Sequence, residues 1–296
     1  MPFIPQGIIT PIITPTTADG KINEPVFLHL IRHLIDRGVH GIFLFGTTGE
    51  FYAFNAEDYK RSLQLAVGEI AGKVPVYAGT NSISTKETIR MIRIAEDVGV
   101  DAVSVLTPMF ISQTQNELYR FYETVAKSTT LPVVLYNNRP KTNVHIAPET
   151  VARLAAIENI VAIKDSTGDM TNTAEYIRLT RQQNDFHVLV GRDTLIFAGL
   201  CYGASGAIAS CSNVAPELAV EIYEKYKAGD LQGALEAQFR LAPLRIACNM
   251  GTFPEVIKEG LMMEGFDVGK CLDPIDELSS AEKDKLKDIL RNLKLV

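Results

Sequence analysis

Short runs of apolar residues recur along the first two-thirds of the chain, and glycine, proline or asparagine bounds most of them. Their hydrophobicity is continuous rather than alternating, which is typical of parallel strands that are covered on both faces. We therefore predict eight strands. The runs are GIITPII at 7–13, VHGIFLFG at 39–46, VPVYAG at 74–79, DAVSVLTP at 101–108, LPVVLY at 131–136, IVAIK at 160–164, FHVLVG at 186–191 and GAIAS at 206–210.

Segments with helical spacing of apolar residues lie between these runs. One of them opens with Ser84 or Thr85 as an N-cap ahead of Glu87 and closes on Gly99. Eight repeats of strand and helix are what a (β/α)8 TIM barrel requires, and we predict that fold. An open doubly wound sheet fits the same alternation. The clearest helical segments are 24–38, 84–99, 115–129 and 147–157.

After residue 215 only helical segments remain. We predict a barrel over residues 1–215 that carries the active site, and a C-terminal helical region over 216–296 that packs on the barrel. The apolar stripes of these helices also fit packing against another subunit. The helical segments are 216–230, 231–249, 254–265 and 280–294.

Composition and charge narrow the classes of function. A net charge of −6 without a block of basic residues disfavours a nucleic-acid partner. The four cysteines form no CxxC pair and have no interleaved histidines, so we predict neither a metal site nor disulfides. No run of 18 apolar residues occurs, and prolines interrupt the N-terminal segment, which disfavours a membrane span and a signal peptide. We expect a cytoplasmic enzyme.

Catalytic groups of a barrel enzyme lie at the C-terminal ends of its strands. Lys164 closes an otherwise apolar strand, so we expect its amine in the mouth of the barrel. Desolvation there lowers the pKa of a lysine and leaves a free amine that attacks a ketone. The alternative is a lysine whose stem follows the strand while its ammonium group reaches water.

Two further strand ends supply candidate groups. Tyr136 ends the strand before that of Lys164. A phenol at this position either transfers protons in the reaction or only lines the barrel. The loop that begins at Gly46 supplies the hydroxyls of Thr47 and Thr48 and several backbone N–H groups, which suit a small carboxylate. Glu50, which ends this loop, is equally explained as a structural cap.

Together these pieces resemble the dihydrodipicolinate synthase / N-acetylneuraminate lyase family of class I, pyruvate-dependent lyases. The resemblance covers essentially the whole chain. Each motif alone is weak, but their joint occurrence in this order is highly specific. The motifs are GTTGE at 46–50, TP at 107–108, YN at 136–137, IKDSTGD at 163–169, G-x-D at 191–193 and GAIAS at 206–210.

The resemblance implies a homotetramer arranged as a dimer of dimers, small-molecule 2-oxo acid and aldehyde substrates, and no metal or organic cofactor. By position it implies that Lys164 forms an imine with the 2-oxo acid, that Tyr136 is the general acid and base, and that Thr47 relays protons. The residues predicted to bind substrate are Gly46, Thr48, Arg139, Lys141, Gly191 and Ile208.

Two departures from the family pattern bear on the second substrate. Dihydrodipicolinate synthases generally have paired tyrosines after TP, the second of which reaches a neighbouring subunit's site, whereas this chain has Met109 and Phe110. Those synthases also have an arginine at about the position that Lys141 occupies in this chain, whereas the arginine of this chain, Arg139, is at a different position. Lysine is not equivalent to arginine in a bidentate grip on a carboxylate. Arg139 and Lys141 are either substrate-binding groups or solvated loop charges.

The segment 251–259, GTFPEVIKE, resembles catabolic members of the family that act on 2-keto-3-deoxy sugar acids. Our first prediction is therefore a 2-keto-3-deoxy sugar-acid aldolase that releases or consumes pyruvate. The alternative is 4-hydroxy-tetrahydrodipicolinate synthase, which joins pyruvate to aspartate semialdehyde. A Schiff-base dehydratase or deaminase is a third interpretation. A non-catalytic 2-oxo acid binding protein is the fourth.

Overall fold

The computed structural model describes residues 3–183 and 185–296. Its eight parallel strands form a closed barrel in chain order, with β8 paired to β1. The predicted (β/α)8 barrel is confirmed, and each predicted apolar run coincides with one strand, although β5 and β6 extend one residue beyond their runs. The strands are β1 (Gly7–Pro11), β2 (Gly41–Leu44), β3 (Val76–Gly79), β4 (Ala102–Leu106), β5 (Val133–Asn137), β6 (Ile160–Asp165), β7 (His187–Val190) and β8 (Gly206–Ile208).

Helices connect the strands and continue alone after β8. Of the two N-cap candidates in the sequence, Ser84 is the N-cap of α3, since its side chain accepts a hydrogen bond from the backbone N–H of Glu87. The helices α2, α5, α7 and α8 are not among the segments singled out above. The bounds are α1 (Glu24–Asp36), α2 (Ala56–Ile70), α3 (Thr85–Val98), α4 (Gln115–Ala126), α5 (Arg139–Thr142), α6 (Pro148–Leu154), α7 (Met170–Thr180), α8 (Ile196–Tyr202), α9 (Pro216–Lys227), α10 (Leu231–Ala247), α11 (Glu255–Met263) and α12 (Ser280–Asn292).

Apolar side chains fill both the interior of the barrel and the layer around it. Phe43, Tyr77, Val134 and Leu189 belong to the inner cluster, which makes the lower barrel a packed core rather than a pore. Residues on the other face of the strands pack against the helices in a larger cluster. Because both faces are covered, the strands have the continuous hydrophobicity seen in the sequence.

One extra residue in β6 determines which way its last side chains face. The pairing of β5 with β6 skips Val161, which is a β-bulge. Beyond it, Ala162 joins the inner cluster and Ile163 the outer one. Side chains alternate along a strand, so Lys164 faces the barrel interior. A shift of one residue would place it on the outer face.

The C-terminal helices contact the barrel as well as one another. α9 contacts β1 and the 3₁₀ turn at 210–213, and α10 contacts α8 and the 3₁₀ turn at 193–195. α12 contacts α10 and α11. The division of the chain at residue 215 stays a prediction.

A buried ion pair joins the C-terminal region to the loop after β2. Lys258 of α11 and Glu50 have no exposed side-chain surface, and Nζ lies 2.6 Å from Oε2. Glu50 also accepts a hydrogen bond from the backbone N–H of Leu272 at 2.9 Å, and Lys258 donates one to the carbonyl of Lys270 at 3.0 Å. Within the segment 251–259, Lys258 therefore has a structural function, because it holds the GTTGE loop, whereas Gly251, Thr252 and Phe253 line the active-site cavity described below.

Glu264 at the end of α11 makes stability depend on pH. Burial, followed by the negative charge of Glu217, raises the pKa of Glu264 to about 8, and Arg37 opposes the shift. The folded chain thus binds this proton more tightly than the unfolded chain. The contribution is fully present below pH 4.5 and is lost as the pH rises through about 8.

We expect Glu264→Gln to raise the Tm by about 2–6 °C at pH 9 and to leave it nearly unchanged at pH 4.5, since the amide stays neutral at both. Thermal unfolding followed by circular dichroism at the two pH values measures this. The exposed Glu236→Gln serves as the control and should show no such pH-dependent gain. Equal Tm differences at both pH values would contradict the prediction.

Candidate active site

A cavity of about 440 Å³ lies at the C-terminal ends of the strands, where a barrel carries its catalytic groups. It brings together residues from β5, β6 and β8, from the loops after β2 and β7, and from α10 and the segment after it. Seven of the nine residues predicted from the sequence line it. They are Thr47, Thr48, Tyr136, Lys141, Lys164, Gly191 and Ile208.

Gly46 and Arg139 are not among the lining residues. A Cβ atom on Gly46 would lie 2.8 Å from the ring of Phe43, so this glycine makes room for that ring. Arg139 is exposed at the start of the short helix α5. Residues two apart in a helix point to nearly opposite sides, so Arg139 and Lys141 do not face the same cavity.

Lys164 and Tyr136 are paired directly across β5 and β6. Their side chains are 4% and 2% exposed, and Lys164 Nζ lies 4.2 Å from the centroid of the Tyr136 ring. The Phe43 ring is also close, with its centroid 5.1 Å from Nζ. The amine is therefore sheltered among aromatic rings at the rim of the barrel. This geometry disagrees with the alternative in which the ammonium group reaches bulk water.

The Tyr136 hydroxyl sits in a small hydrogen-bond network. Thr47 Oγ1 lies 3.2 Å away, and Asn138 Nδ2 donates to the hydroxyl at 3.0 Å. Burial alone would raise the pKa of Tyr136, but the positive charge of Lys164 and the hydrogen bonds outweigh burial, so the pKa lies below its ordinary value. A phenol of lowered pKa, joined to another hydroxyl, is suited to proton transfer.

The residues that follow Tyr136 and Lys164 face outward and anchor the two strands. Asn137 donates a hydrogen bond to the Tyr176 hydroxyl of α7 at 2.9 Å. Asp165 accepts one from the Thr173 hydroxyl of the same helix at 2.8 Å. In each motif one side chain faces the cavity and the next one holds the strand against α7, which limits the motion of the first.

Three contacts hold the loop that carries Thr47 and Thr48. The carbonyl of Phe45 accepts a hydrogen bond from Asn81 Nδ2 at 3.0 Å. A Cβ atom on Gly79 would lie 2.2 Å from the same carbonyl, so only glycine allows this close approach. The ion pair of Glu50 with Lys258 fixes the far end of the loop.

The cavity also contains residues that the sequence did not suggest. Asn138 and Ser166 lie two positions beyond Tyr136 and Lys164, and the alternation of a strand was a signal that pointed to them. Arg192 was visible as the middle residue of the G-x-D motif. Arg245 and Asn249 come from the end of α10 and the residues after it, and their distance along the chain hid them.

Other kinds of site find no support in the part of the chain that the structure describes. It contains no group of three or more His, Cys, Asp or Glu residues placed to hold a metal ion. None of its helices combines the length and the apolar character needed to cross a bilayer. All four cysteines are free thiols.

A model of the dihydrodipicolinate synthetase family matches residues 4–293. The chain belongs to this family. The 4-hydroxy-tetrahydrodipicolinate synthase of Thermodesulfovibrio yellowstonii is 37% identical to it over 291 residues, which cover 98% of this chain and 99% of that protein.

Solved structures of the family agree with this fold. A prophage protein from E. coli K12 that belongs to the dihydrodipicolinic acid synthase family was solved in complex with pyruvate. It has a TM-score of 0.94 and 33% identity, and the match covers 98% of this chain and 99% of that one. A monomeric dihydrodipicolinate synthase variant has a TM-score of 0.96 and 32% identity, with 98% and 97% coverage.

Membership of this family settles the class of chemistry. The chain is a class I, pyruvate-dependent lyase that forms a Schiff base on a lysine, without a metal or organic cofactor. The interpretation as a non-catalytic 2-oxo acid binding protein therefore loses its support.

Proposed function

We propose that Lys164 is the Schiff-base lysine and that the protein joins pyruvate to aspartate semialdehyde, as a 4-hydroxy-tetrahydrodipicolinate synthase does. The observation that carries the proposal is the buried pair of Lys164 and Tyr136, with Nζ 4.2 Å from the ring centroid, inside a cavity at the C-terminal rim. The relatives that share this name support the choice of aldehyde, with 37% identity in the case of T. yellowstonii.

The proposed reaction begins with attack of the Lys164 amine on the keto carbon of pyruvate. Tyr136 protonates the carbinolamine oxygen, which leaves as water and produces the imine. The protonated imine withdraws electrons, so C3 loses a proton to the Tyr136 phenolate left by the previous step, and an enamine forms. Carbon C3 of the enamine attacks the aldehyde carbon, and the alkoxide takes a proton from the hydroxyl pair of Tyr136 and Thr47. The amino group of the former semialdehyde then attacks the imine carbon, which closes the ring and expels the Lys164 amine.

Thr47 and Thr48 are proposed to hold the pyruvate carboxylate, and Thr47 to pass protons to Tyr136. Both line the cavity, and Thr47 Oγ1 lies 3.2 Å from the Tyr136 hydroxyl. Gly191 and Ile208 are proposed to line the pyruvate pocket. Lys141, which also lines the cavity, is a single charge that suits the carboxylate of the aldehyde.

Tyr136→Phe is expected to lower kcat by about 100-fold or more, because proton transfer by a positioned group contributes about 10²–10⁴-fold. The ring and its contact with Lys164 Nζ remain, so imine formation should persist at a slower rate. Steady-state kinetics together with borohydride trapping measures both effects. The matched control is Tyr59→Phe, whose hydroxyl is buried outside the cavity and makes no hydrogen bond to the described residues. A loss of less than tenfold in Tyr136→Phe would remove Tyr136 from the mechanism.

A second candidate is the cleavage of 2-keto-3-deoxy sugar acids, and the observation that favours it is the missing hydroxyl at Phe110. A coupled assay with pyruvate and aspartate semialdehyde, run beside pyruvate release from 2-keto-3-deoxygluconate, separates the two. Substantial turnover in the first assay supports the synthase. Turnover in the second assay alone would replace it with the aldolase.

The homotetramer and the cytoplasmic location stay predictions. Phe110 is 89% exposed and adopts a left-handed φ of 76°, and Ile111 beside it is 61% exposed. Two neighbouring exposed apolar side chains support a subunit contact at this loop. Size-exclusion chromatography with light scattering on the purified protein would test the assembly.

A further inference from the structure

Two arginines stand where the active-site cavity meets a second cavity. Arg192 follows β7, and Arg245 lies in the last turn of α10. Both line the cavity of about 440 Å³ that contains Lys164, and both line an adjoining cavity of about 290 Å³. Asn249 also lines both. Lys164 lines only the first, so the arginines lie on the side of the active site that opens into the second cavity.

The charges at this junction do not balance. Arg245 Nε lies 3.2 Å from Asp193 Oδ2, and the Asp193 side chain is completely buried. Asp193 also accepts hydrogen bonds from the Ser210 hydroxyl at 3.2 Å and from the backbone N–H of Cys211 at 2.7 Å. Among the described residues, no carboxylate lies within ion-pair distance of Arg192. Arg245 therefore has one carboxylate partner, whose oxygens also accept two other hydrogen bonds, and the Arg192 guanidinium has no carboxylate partner within the described residues.

The environment of Arg192 favours a bound anion. Burial, followed by the positive charge of Arg245, lowers the pKa of Arg192, because both penalise its charged form. An anion between the two groups would remove that penalty. A Cβ atom on Gly168 would lie 3.1 Å from Arg192 Nε, so glycine at this position lets the guanidinium lie close to the backbone.

We infer that Arg192 and Arg245 form a subsite for an oxyanion, a carboxylate or a phosphate, carried by the second substrate at the end away from its reacting carbon. The planar donors of arginine match these groups in a bidentate manner, and Asn249 adds an amide donor. This inference rests on the proposed imine at Lys164. It adds that Arg192 and Arg245, rather than Lys141 alone, bind the distal negative charge of that substrate and so select for it.

Borohydride trapping of 2-oxo acids at Lys164 tests the subsite without knowledge of the natural substrate. Two matched pairs differ in the distal group: 2-oxoadipate with 2-oxohexanoate, and 2-keto-3-deoxy-6-phosphogluconate with 2-keto-3-deoxygluconate. The quantity measured is the concentration that gives half-maximal labelling. For at least one pair, we expect the anionic member to reach half-maximal labelling at a concentration at least about tenfold lower than its neutral partner. Hydrogen bonds to charged groups change an affinity by about that factor or more. The pair that shows the difference identifies whether the subsite binds a carboxylate or a phosphate.

Arg192→Gln should reduce this preference about tenfold, and Arg192→Lys, which keeps the charge, should retain part of it. Arg192 is the residue to change because loss of Arg245 would leave Asp193 buried without its cation. The subsite is wrong if the wild type shows no preference for the anionic member, or if Arg192→Gln leaves the preference unchanged. In either case, labelling of Lys164 by pyruvate would still support the proposed function. If pyruvate fails to label Lys164, the proposed function falls, and the subsite falls with it.

Discussion

Lys164→Ala is expected to lower kcat/KM by about 10⁴–10⁶-fold, the usual range for loss of a covalent nucleophile. Without the amine no imine forms, and neither Tyr136 nor Thr47 supplies an electron sink for C3 of pyruvate. The Lys164 side chain borders the cavity, so its removal should leave the fold intact. Steady-state kinetics and the mass of the borohydride-treated protein with pyruvate are the two measurements.

The matched control is Lys164→Arg, which keeps a positive charge beside Tyr136 but forms no imine. If the amine acts as the nucleophile, both variants lose activity and neither gains mass. If the lysine served only as a charge, the arginine variant would keep much of the activity. Lys141 is the other lysine that lines the cavity. Labelling at Lys141 instead of Lys164 would show that our proposal assigns the Schiff base to the wrong residue.

Lys258→Met should have the largest effect on stability, with a loss of about 3–5 kcal/mol in the free energy of unfolding, because it leaves a buried carboxylate without its cation. Glu50 and Lys258 are both fully buried, and 2.6 Å separates their charged atoms. Glu50 ends the loop that carries Thr47 and Thr48. Activity should therefore fall together with stability. Urea unfolding followed by circular dichroism gives the free energy.

Two further variants make the result specific to the buried pair. Lys21→Met removes an ion pair with Asp19 whose side chains are 81% and 59% exposed, and it should produce no measurable change. The double variant Glu50→Gln/Lys258→Met removes both charges and keeps an acceptor for Leu272, so it should be more stable than Lys258→Met alone. A double variant that is as unstable as the single one would show that packing, not charge, holds the loop.

The strands and the principal site residues could be predicted because their signals are local. An apolar run that ends in a lysine or a tyrosine describes a barrel strand and its C-terminal rim within one short segment. The outward residues Asn137 and Asp165 were part of the same motifs. Their function as anchors to α7 became apparent only when the helix was in place.

Residues that act across long stretches of chain could not be predicted in this way. Glu50 and Lys258 are 208 positions apart, and the sequence around Lys258 was interpreted as a sign of substrate choice. Arg192 and Arg245 come from a strand end and a distant helix, and no periodicity connects them. Arg139 and Lys141 were grouped because they are close in sequence, although a helix turns them apart.

By itself, the sequence determined the fold class, the order of strands and helices, and the positions of Lys164 and Tyr136 at the ends of their strands, because continuous apolar runs and helical spacing are properties of neighbouring residues. The tertiary structure decided which way those side chains face, through the bulge at Val161, and which distant charges complete the cavity. The physical reason is that the register between strands and the burial of charged groups depend on contacts between parts of the chain that the sequence does not place side by side.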